Sequence, residues 1–269
     1  MVGHEREHDG WILSESGPLD AERTVLMLPG GMCTAAFYDE LVAEPLLREA
    51  SLRLVATTLP GHGGTPEPVD VSMEHYARAT GKLARDLGCD VVMGHSVGAN
   101  VAIEMARVGE FTGPMVLLSP SFCRQDESRF IRGLDRLASG LGPLPFRFML
   151  AMTGPAMKDV GVPAERRAAL AAELRRNDPR FVQRAIRSYL EYLDRHGSLA
   201  KSLCDSGVPA WVVFGDKGDV GLRDDERAVL DHCPTVTRFV VRHAGHMTLN
   251  EQPFQVAEVV LEAVRSIPA

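Results

Sequence analysis

The sequence has 269 residues, of which 45 % are hydrophobic and 24 % are charged, and its formal net charge is −7. This length suffices for one α/β domain with a substantial core. The negative charge argues against nucleic acid as a partner, and no apolar run approaches the roughly 20 residues that a membrane-spanning helix needs.

The first ten residues are polar and charged, so we expect a frayed end here and not a secretory signal. Five cysteines are scattered along the chain without a Cys-x-x-Cys spacing. They argue against a disulfide framework and against a zinc site, and they predict a cytoplasmic location.

Apolar segments alternate with helix-forming segments over most of the chain. This alternation predicts an α/β fold with a mostly parallel, doubly wound sheet that helices cover on both faces. The predicted strands lie at 11–14, 24–28, 53–57, 91–93, 115–118, 211–214 and 236–241, and the predicted helices of this sheet lie at 35–49, 73–87, 99–108, 224–230 and 253–266.

The second predicted strand runs into Pro29, Gly30 and Gly31. Glycines at the end of a strand allow backbone N–H groups to point into a site. We expect the N–H groups of Gly31 and Val97 to hold the negative oxygen that forms when a serine attacks a carbonyl. The alternative is a plain turn with glycine at positive φ. Met32, the next residue, is a candidate substrate contact.

The pentapeptide Gly94-His95-Ser96-Val97-Gly98 lies between a predicted strand and a predicted helix. Such a turn forces the serine into a strained backbone conformation and exposes its hydroxyl above the end of the sheet. The flanking glycines are needed because the strand and the helix approach too closely for side chains. The context predicts Ser96 as a nucleophile and His95 as a substrate contact, although a bare Gly-x-Ser-x-Gly pattern also occurs in ordinary turns.

The alternation of strands and helices breaks between Phe122 and Val208, where no strand is evident. We therefore predict a sheet core formed by residues 1–121 and 209–269, with a helical insertion at 122–208. Phe146 and Met149 belong to an apolar cluster that is either internal packing or substrate pocket, and both are candidate substrate contacts. The predicted helices of the insertion lie at 129–141, 146–152, 163–175 and 179–196.

Three aspartates are candidates for the acid that orients a catalytic histidine. We choose Asp219, because the acid must lie far enough along its loop to meet the histidine loop and Gly218 gives the backbone freedom to place it there. Asp216, directly after the strand at 211–214, is the first alternative. Asp126, beyond the strand at 115–118, is the second.

Two histidines follow the last predicted strand. We choose His246 as general base and general acid, because Gly245 before it permits a tight turn that can bring the imidazole to the serine. We expect His243 to be a structural or supporting residue.

These motifs together resemble those of the α/β-hydrolase fold family, in which nucleophile, acid and histidine follow each other in this order. The resemblance implies that the insertion at 122–208 is a cap over the site, that His62 is structural and that the N-terminus lacks a full edge hairpin. The chain departs from the family pattern at Pro29, where many relatives carry histidine, and at the extra Gly218. The matching segments are Leu28-Pro29-Gly30-Gly31, Leu59-Pro60-Gly61-His62-Gly63, Gly94-His95-Ser96-Val97-Gly98, the loop at 215–219 and Gly245-His246.

The resemblance further implies a serine hydrolase that cleaves a small-molecule ester through an acyl-enzyme, as carboxylesterases do, with Ser96, His246 and Asp219 as its triad. It implies neither a metal nor an organic cofactor. Thioesterase, lactonase, carbon–carbon hydrolase and cofactor-free perhydrolase activities remain open, because the same residues serve them all. A ligand-sensing or scaffold protein on the same fold is an alternative of another class.

Overall fold

The computed structural model of the protein describes residues 4–158, 160–218 and 220–268. One sheet forms its centre. Its strands are β1 (His4–His8), β2 (Trp11–Ser16), β3 (Thr24–Leu28), β4 (Arg53–Thr58), β5 (Val91–His95), β6 (Met115–Leu118), β7 (Ala210–Gly215) and β8 (Val236–Val241).

The strands follow the spatial order β1-β2-β4-β3-β5-β6-β7-β8. β1 and β2 pair antiparallel, β2 pairs antiparallel with β4, and all other neighbours are parallel. The predicted fold class is confirmed. In a sheet of this kind the carboxyl ends of the parallel strands share one edge, where ligands bind.

The N-terminal segment differs from the expectation of a frayed end without an edge hairpin, which is wrong for residues 4–10. His8 pairs with Trp11 across a two-residue turn in which Asp9 and Gly10 both have positive φ, 48° and 83°. Such a turn fits the twist of a hairpin. The polar sequence is compatible with β1 because edge strands of natural sheets carry charged side chains that discourage further pairing.

Strand residues alternate between two hydrophobic clusters, one on each face of the sheet. In β3, Val25 and Met27 belong to one cluster, whereas Leu26 and Leu28 belong to the other. Successive side chains of a strand point to opposite faces, so a strand that is covered on both sides is apolar throughout. All five residues of β3 are buried, and four of the five are apolar, as this coverage on both faces requires.

The helices of the sheet core agree with the prediction except at 35–49. There the chain forms a 3₁₀ helix (Ala35–Tyr38) and two short helices, because Pro45 lacks the N–H that a continuing helix would need. The two are α1 (Asp39–Val42) and α2 (Pro45–Glu49); they are followed by α3 (Met73–Asp86) and α4 (Val97–Val108).

Between β6 and β7 the described chain is helical, as predicted. Its helices are α5 (Arg129–Leu141), α6 (Leu144–Ala151), α7 (Thr153–Ala156), α8 (Ala164–Leu174), α9 (Pro179–His196) and α10 (Leu199–Ser206). The remaining helices are α11 (Asp224–Asp231), α12 (Thr248–Glu251) and α13 (Pro253–Arg265). α10 packs against α4 and α11 of the core, and the domain boundary at 208 stays a prediction. None of the described helices combines the length and apolar character that crossing a bilayer requires.

Candidate active site

Ser96 lies between the end of β5 and the first residue of α4, with φ 51° and ψ −118°. This region of backbone conformation is sparsely populated by residues other than glycine, and it costs on the order of 1–3 kcal/mol. The backbone hydrogen bonds on either side hold it: Ser96 N–H donates to Leu118 O at 2.8 Å, and Asn100 N–H donates to Ser96 O at 3.1 Å. The turn therefore has the conformation that the sequence predicts.

The glycines that flank Ser96 are required by close backbone contacts. A Cβ on Gly94 would lie 2.4 Å from Gly98 O, and a Cβ on Gly98 would lie 2.3 Å from Leu28 O. Neither position can hold a side chain unless the backbone moves. The turn thus depends on short-range contacts between β5, α4 and the end of β3.

Ser96 faces a cavity of about 280 Å³ at the carboxyl edge of the parallel strands. His246, Gly31 and Val97 line the same cavity. The helical insertion contributes a large apolar part of the lining: Phe130, Ile131, Met157, Leu170, Leu174, Val182, Ala185 and Ile186. The structure therefore brings the predicted nucleophile, base and oxyanion groups to one apolar cavity.

Two acidic side chains fix the loop that leads to His246. Asp216 Oδ1 accepts a hydrogen bond from Ala244 N–H at 3.1 Å, and Glu251 Oε2 accepts one from Gly245 N–H at 3.1 Å. The backbone N–H groups of residues 243 and 244 lower the pKa of Asp216. Asp216, one of the alternative acids, thus holds the backbone of the histidine loop.

His95 holds the other side of the same loop. Its Nε2 lies 2.9 Å from the carbonyl oxygen of His246, and the two imidazole rings pack with centroids 4.8 Å apart. Burial is the main cause that lowers the pKa of His95, to about 3, so the ring is neutral and donates through Nε2–H. His95 was predicted as a substrate contact; it lines the cavity but is 97 % buried and supports the loop of His246.

The other two candidates for the acid are Asp126 and Asp219. Asp126 uses both carboxylate oxygens on backbone groups: Oδ2 accepts from Phe122 N–H and Cys123 N–H, each at 3.2 Å, and Oδ1 accepts from Arg223 N–H at 3.2 Å. Burial raises its pKa. Asp219 lies outside the described residues, and its role as the acid stays a prediction.

The two histidines after β8 differ in exposure. The side chain of His243 is exposed, and its backbone has φ 62° in the turn that follows the strand. His246 is partly buried and lines the cavity. This placement agrees with His246 as the base, which stays a prediction.

Residues Gly30–Cys33, the predicted oxyanion loop, form a tight turn at the end of β3. Cys33 N–H donates to Gly30 O at 3.2 Å, which leaves Gly31 and Met32 as the central residues. A Cβ on Gly31 would lie 3.3 Å from Val97 Cγ2, so the two residues that carry the proposed donors are neighbours in space. Val97 is the first residue of α4, and its N–H has no acceptor within the helix.

Met32 lines the cavity, as predicted for a substrate contact, and its backbone is bonded on both sides. Its N–H donates to Nδ1 of His62 at 2.9 Å, and its carbonyl accepts from Nδ2 of Asn177 at 2.8 Å. Cys33 also lines the cavity, but burial raises the pKa of its thiol to about 12. A protonated thiol is a poor nucleophile, so Cys33 does not compete with Ser96 in that role.

Phe146 and Met149 are placed differently from the expectation of substrate contacts. Phe146 is fully buried in the larger hydrophobic cluster and Met149 packs against it, and neither is among the described residues that line the cavity. The lining residues of α9 were not among the predicted substrate contacts. Their signal is the helical spacing of Val182, Ala185, Ile186 and Tyr189, which places all four on one face of α9.

The chain is similar to known proteins in its sequence family and in its fold. A family model described as the alpha/beta hydrolase family matches residues 25–259. No curated protein sequence matches significantly.

Solved structures with the same fold include three hydrolases. The N-acyl homoserine lactonase AidH, complexed with N-butanoyl homoserine, superposes with a TM-score of 0.74 at 21 % identity, covering 99 % of this chain and 97 % of that one. The esterase RhEst1 from Rhodococcus sp. ECU1013 gives 0.73 at 17 % identity, covering both chains fully at 100 %. A thermophilic esterase from Thermogutta terrifontis gives 0.71 at 19 % identity, covering 99 % and 98 %.

Proposed function

Because the chain belongs to the alpha/beta hydrolase family, we propose that it is a serine hydrolase that cleaves small carboxylic esters through an acyl-enzyme. The observation that carries this proposal is the strained Ser96 at the start of α4, which faces one apolar cavity together with His246. A serine hydroxyl is a weak nucleophile unless a base is near, and the same cavity supplies the imidazole.

In the proposed reaction the Ser96 hydroxyl attacks the ester carbonyl while His246 takes its proton. Asp219 orients His246 and stabilises the imidazolium that forms. The N–H groups of Gly31 and Val97 hold the oxyanion of the tetrahedral intermediate. His246 then gives the proton to the leaving alcohol, and a water molecule, activated by the same histidine, releases the acid from Ser96.

The cavity supports a small substrate with an apolar acyl part. Its volume of about 280 Å³ is at the lower end of the roughly 300–1,000 Å³ that ligand pockets occupy. The apolar lining from α8 and α9 favours an aliphatic or aromatic acyl chain over a charged one. A lactone is an ester closed into a ring, and AidH, which shares the fold, is named as an N-acyl homoserine lactonase.

We further propose that residues 122–208 act as a cap that sets the substrate range, since α5, α8 and α9 supply much of the cavity lining. A cytoplasmic location is also part of the proposal. All five cysteines are free thiols, which is the usual state in a reducing compartment.

The test is active-site labelling followed by a substrate panel. A fluorophosphonate probe should label the wild-type protein on Ser96 and leave Ser96→Ala unlabelled. A p-nitrophenyl ester series from acetate to dodecanoate, with a thioester and N-butanoyl homoserine lactone beside it, should show an initial burst and then turnover with the short esters. Labelling without turnover of any of these would favour the ligand-sensing alternative, and absence of labelling would contradict an activated serine.

A further inference from the structure

The backbone of Met32 adopts a conformation that residues with a side chain such as methionine do not favour. Met32 has φ 71° at the third position of the Gly30–Cys33 turn. A positive φ at this position is typical of a type II turn, in which glycine or asparagine is strongly preferred. Something outside the turn must therefore hold the methionine in place.

Two side chains from distant parts of the chain hold the Met32 backbone. His62 follows β4 and accepts from Met32 N–H, and Asn177, between α8 and α9, donates to Met32 O. Asn177 is 96 % buried, and its other contacts are with Leu174 O, through Nδ2 at 2.9 Å, and with Gly63 N–H, through Oδ1 at 2.9 Å. One amide thus ties the helical insertion to the turn that contains His62 and to the oxyanion loop.

His62 is itself fixed so that its Nδ1 is an acceptor. The ring is 96 % buried and packs edge-on against Phe181 of α9, with ring centroids 5.0 Å apart. Burial lowers the pKa of His62 to about 4, which keeps the ring neutral at ordinary pH. Because Nδ1 accepts from Met32 N–H, the ring proton is on Nε2.

We propose that Asn177 and His62 are positioning residues of the oxyanion hole: they hold the peptide groups on either side of Met32 and so keep the turn in the conformation in which the preceding peptide presents Gly31 N–H to the reacting carbonyl. This inference rests on the proposed hydrolase function. Type I and type II turns differ by a flip of their central peptide, which here joins Gly31 and Met32. Such a flip would remove Met32 N–H from His62 and rotate the backbone next to the Gly31 donor.

Through Asn177, the helical insertion contributes to the chemical step as well as to substrate selection. An interaction that holds an oxyanion donor acts mainly in the transition state, where the oxygen carries its charge. Its loss should lower kcat and leave KM nearly unchanged. A residue that only fixes the insertion on the core would instead change stability or KM.

The Asn177→Asp variant is the most direct test of the proposed positioning role. The carboxylate keeps an acceptor for Gly63 N–H but cannot donate to Met32 O, and it places a negative charge beside that carbonyl. We expect kcat for p-nitrophenyl acetate to fall about 10- to 100-fold with KM within about twofold; direct loss of one oxyanion donor costs roughly 10²–10³. The affinity for a trifluoromethyl ketone, whose adduct with Ser96 carries the same oxyanion, should fall in parallel.

The matched control is Gln183→Leu, which removes another amide of the insertion, the one that donates to Ala138 O at 3.3 Å; neither Gln183 nor Ala138 is among the described residues that line the cavity. It should leave kcat unchanged. A second pair of variants, both at His62, distinguishes loss of the hydrogen bond from misfolding. His62→Asn keeps an acceptor near the position of Nδ1 and should retain more kcat than His62→Leu, which has none. Unchanged kcat in Asn177→Asp, with wild-type labelling by fluorophosphonate intact, would overturn this inference alone, whereas an unlabelled wild type would overturn the proposed function.

Discussion

The nucleophile turn, residues 94–98, and the oxyanion loop lie side by side, yet backbone contacts stabilise the first and side chains from distant elements stabilise the second. Both follow parallel strands, and both contain a residue other than glycine at positive φ, Ser96 at 51° and Met32 at 71°. Ser96 is held by backbone hydrogen bonds, one to Leu118 O at the end of β6 and one from Asn100 N–H in α4. Met32 is held by side chains 30 and 145 positions away in the sequence.

This difference shows that two equally unusual backbone conformations can have different sequence requirements. The nucleophile turn needs glycines at fixed positions within five residues. The oxyanion loop needs an acceptor and a donor supplied by other elements, so a substitution far from the site can change it.

The largest effect is expected for Ser96→Ala in the nucleophile turn. Loss of the nucleophile should lower kcat by roughly 10⁶, as in a serine protease, because the other groups of a triad cannot act without it. The fold should be retained because alanine is of similar size. Steady-state kinetics and far-UV circular dichroism check this, and substantial remaining ester hydrolysis would show that Ser96 is not the nucleophile.

The next largest loss of kcat is expected for the acid, which belongs to neither the nucleophile turn nor the oxyanion loop. Asp219→Asn should lower kcat by about 10⁴, since an amide cannot stabilise the imidazolium of His246. Asp216→Asn should cost far less, because Asp216 accepts from Ala244 N–H and an amide oxygen can still accept. Comparison of kcat for both variants checks the choice, and the reverse order would assign the role to Asp216.

Substitution of a glycine tests the local character of the nucleophile turn. Gly98→Ala would place a Cβ 2.3 Å from Leu28 O, and we expect a loss of about 3 kcal/mol or more in the free energy of unfolding. Gly133→Ala in α5 is the matched control, because a Cβ there meets nothing within 4 Å; it should stabilise the protein by up to about 1 kcal/mol. Urea unfolding measures both. Equal stability of the two variants would contradict the close packing of the turn.

The smallest effect is expected from pH, through two buried neutral histidines: His62, which holds the oxyanion loop, and His95, which holds the loop of His246. Burial lowers the pKa values of both in the folded state, from 6.5 to about 3 and about 4. Between pH 6.5 and these values the unfolded chain binds more protons, so the free energy of unfolding falls as the pH falls, by at most about 1.4 kcal/mol per pH unit and histidine. Urea unfolding at pH 7 and pH 5.5 measures this slope. His62→Asn should reduce it, and an unchanged slope would show that His62 does not contribute.

The sequence by itself determined the sheet, its parallel strands and the conformation of Ser96. These features have a local signature in the sequence: a continuous apolar run in a strand that is covered on both faces, or glycines at fixed positions around the serine. The edge strand β1 was missed because its charged residues bury little surface, and pairing with β2 stabilises it. A polar segment carries no apolar pattern that would reveal such a partner.

Only the tertiary structure decided the surroundings of Met32 and the contacts of the alternative acids. The turn Gly30–Cys33 does not indicate that Asn177 lies beside it, because an asparagine in a helical insertion looks like any helix-flanking residue. The sequence around Asp126 likewise does not indicate that its Oδ1 accepts from Arg223 N–H, 97 positions away. A hydrogen bond between distant residues forms only after the hydrophobic clusters have brought their elements together, so the local sequence around either partner does not specify it.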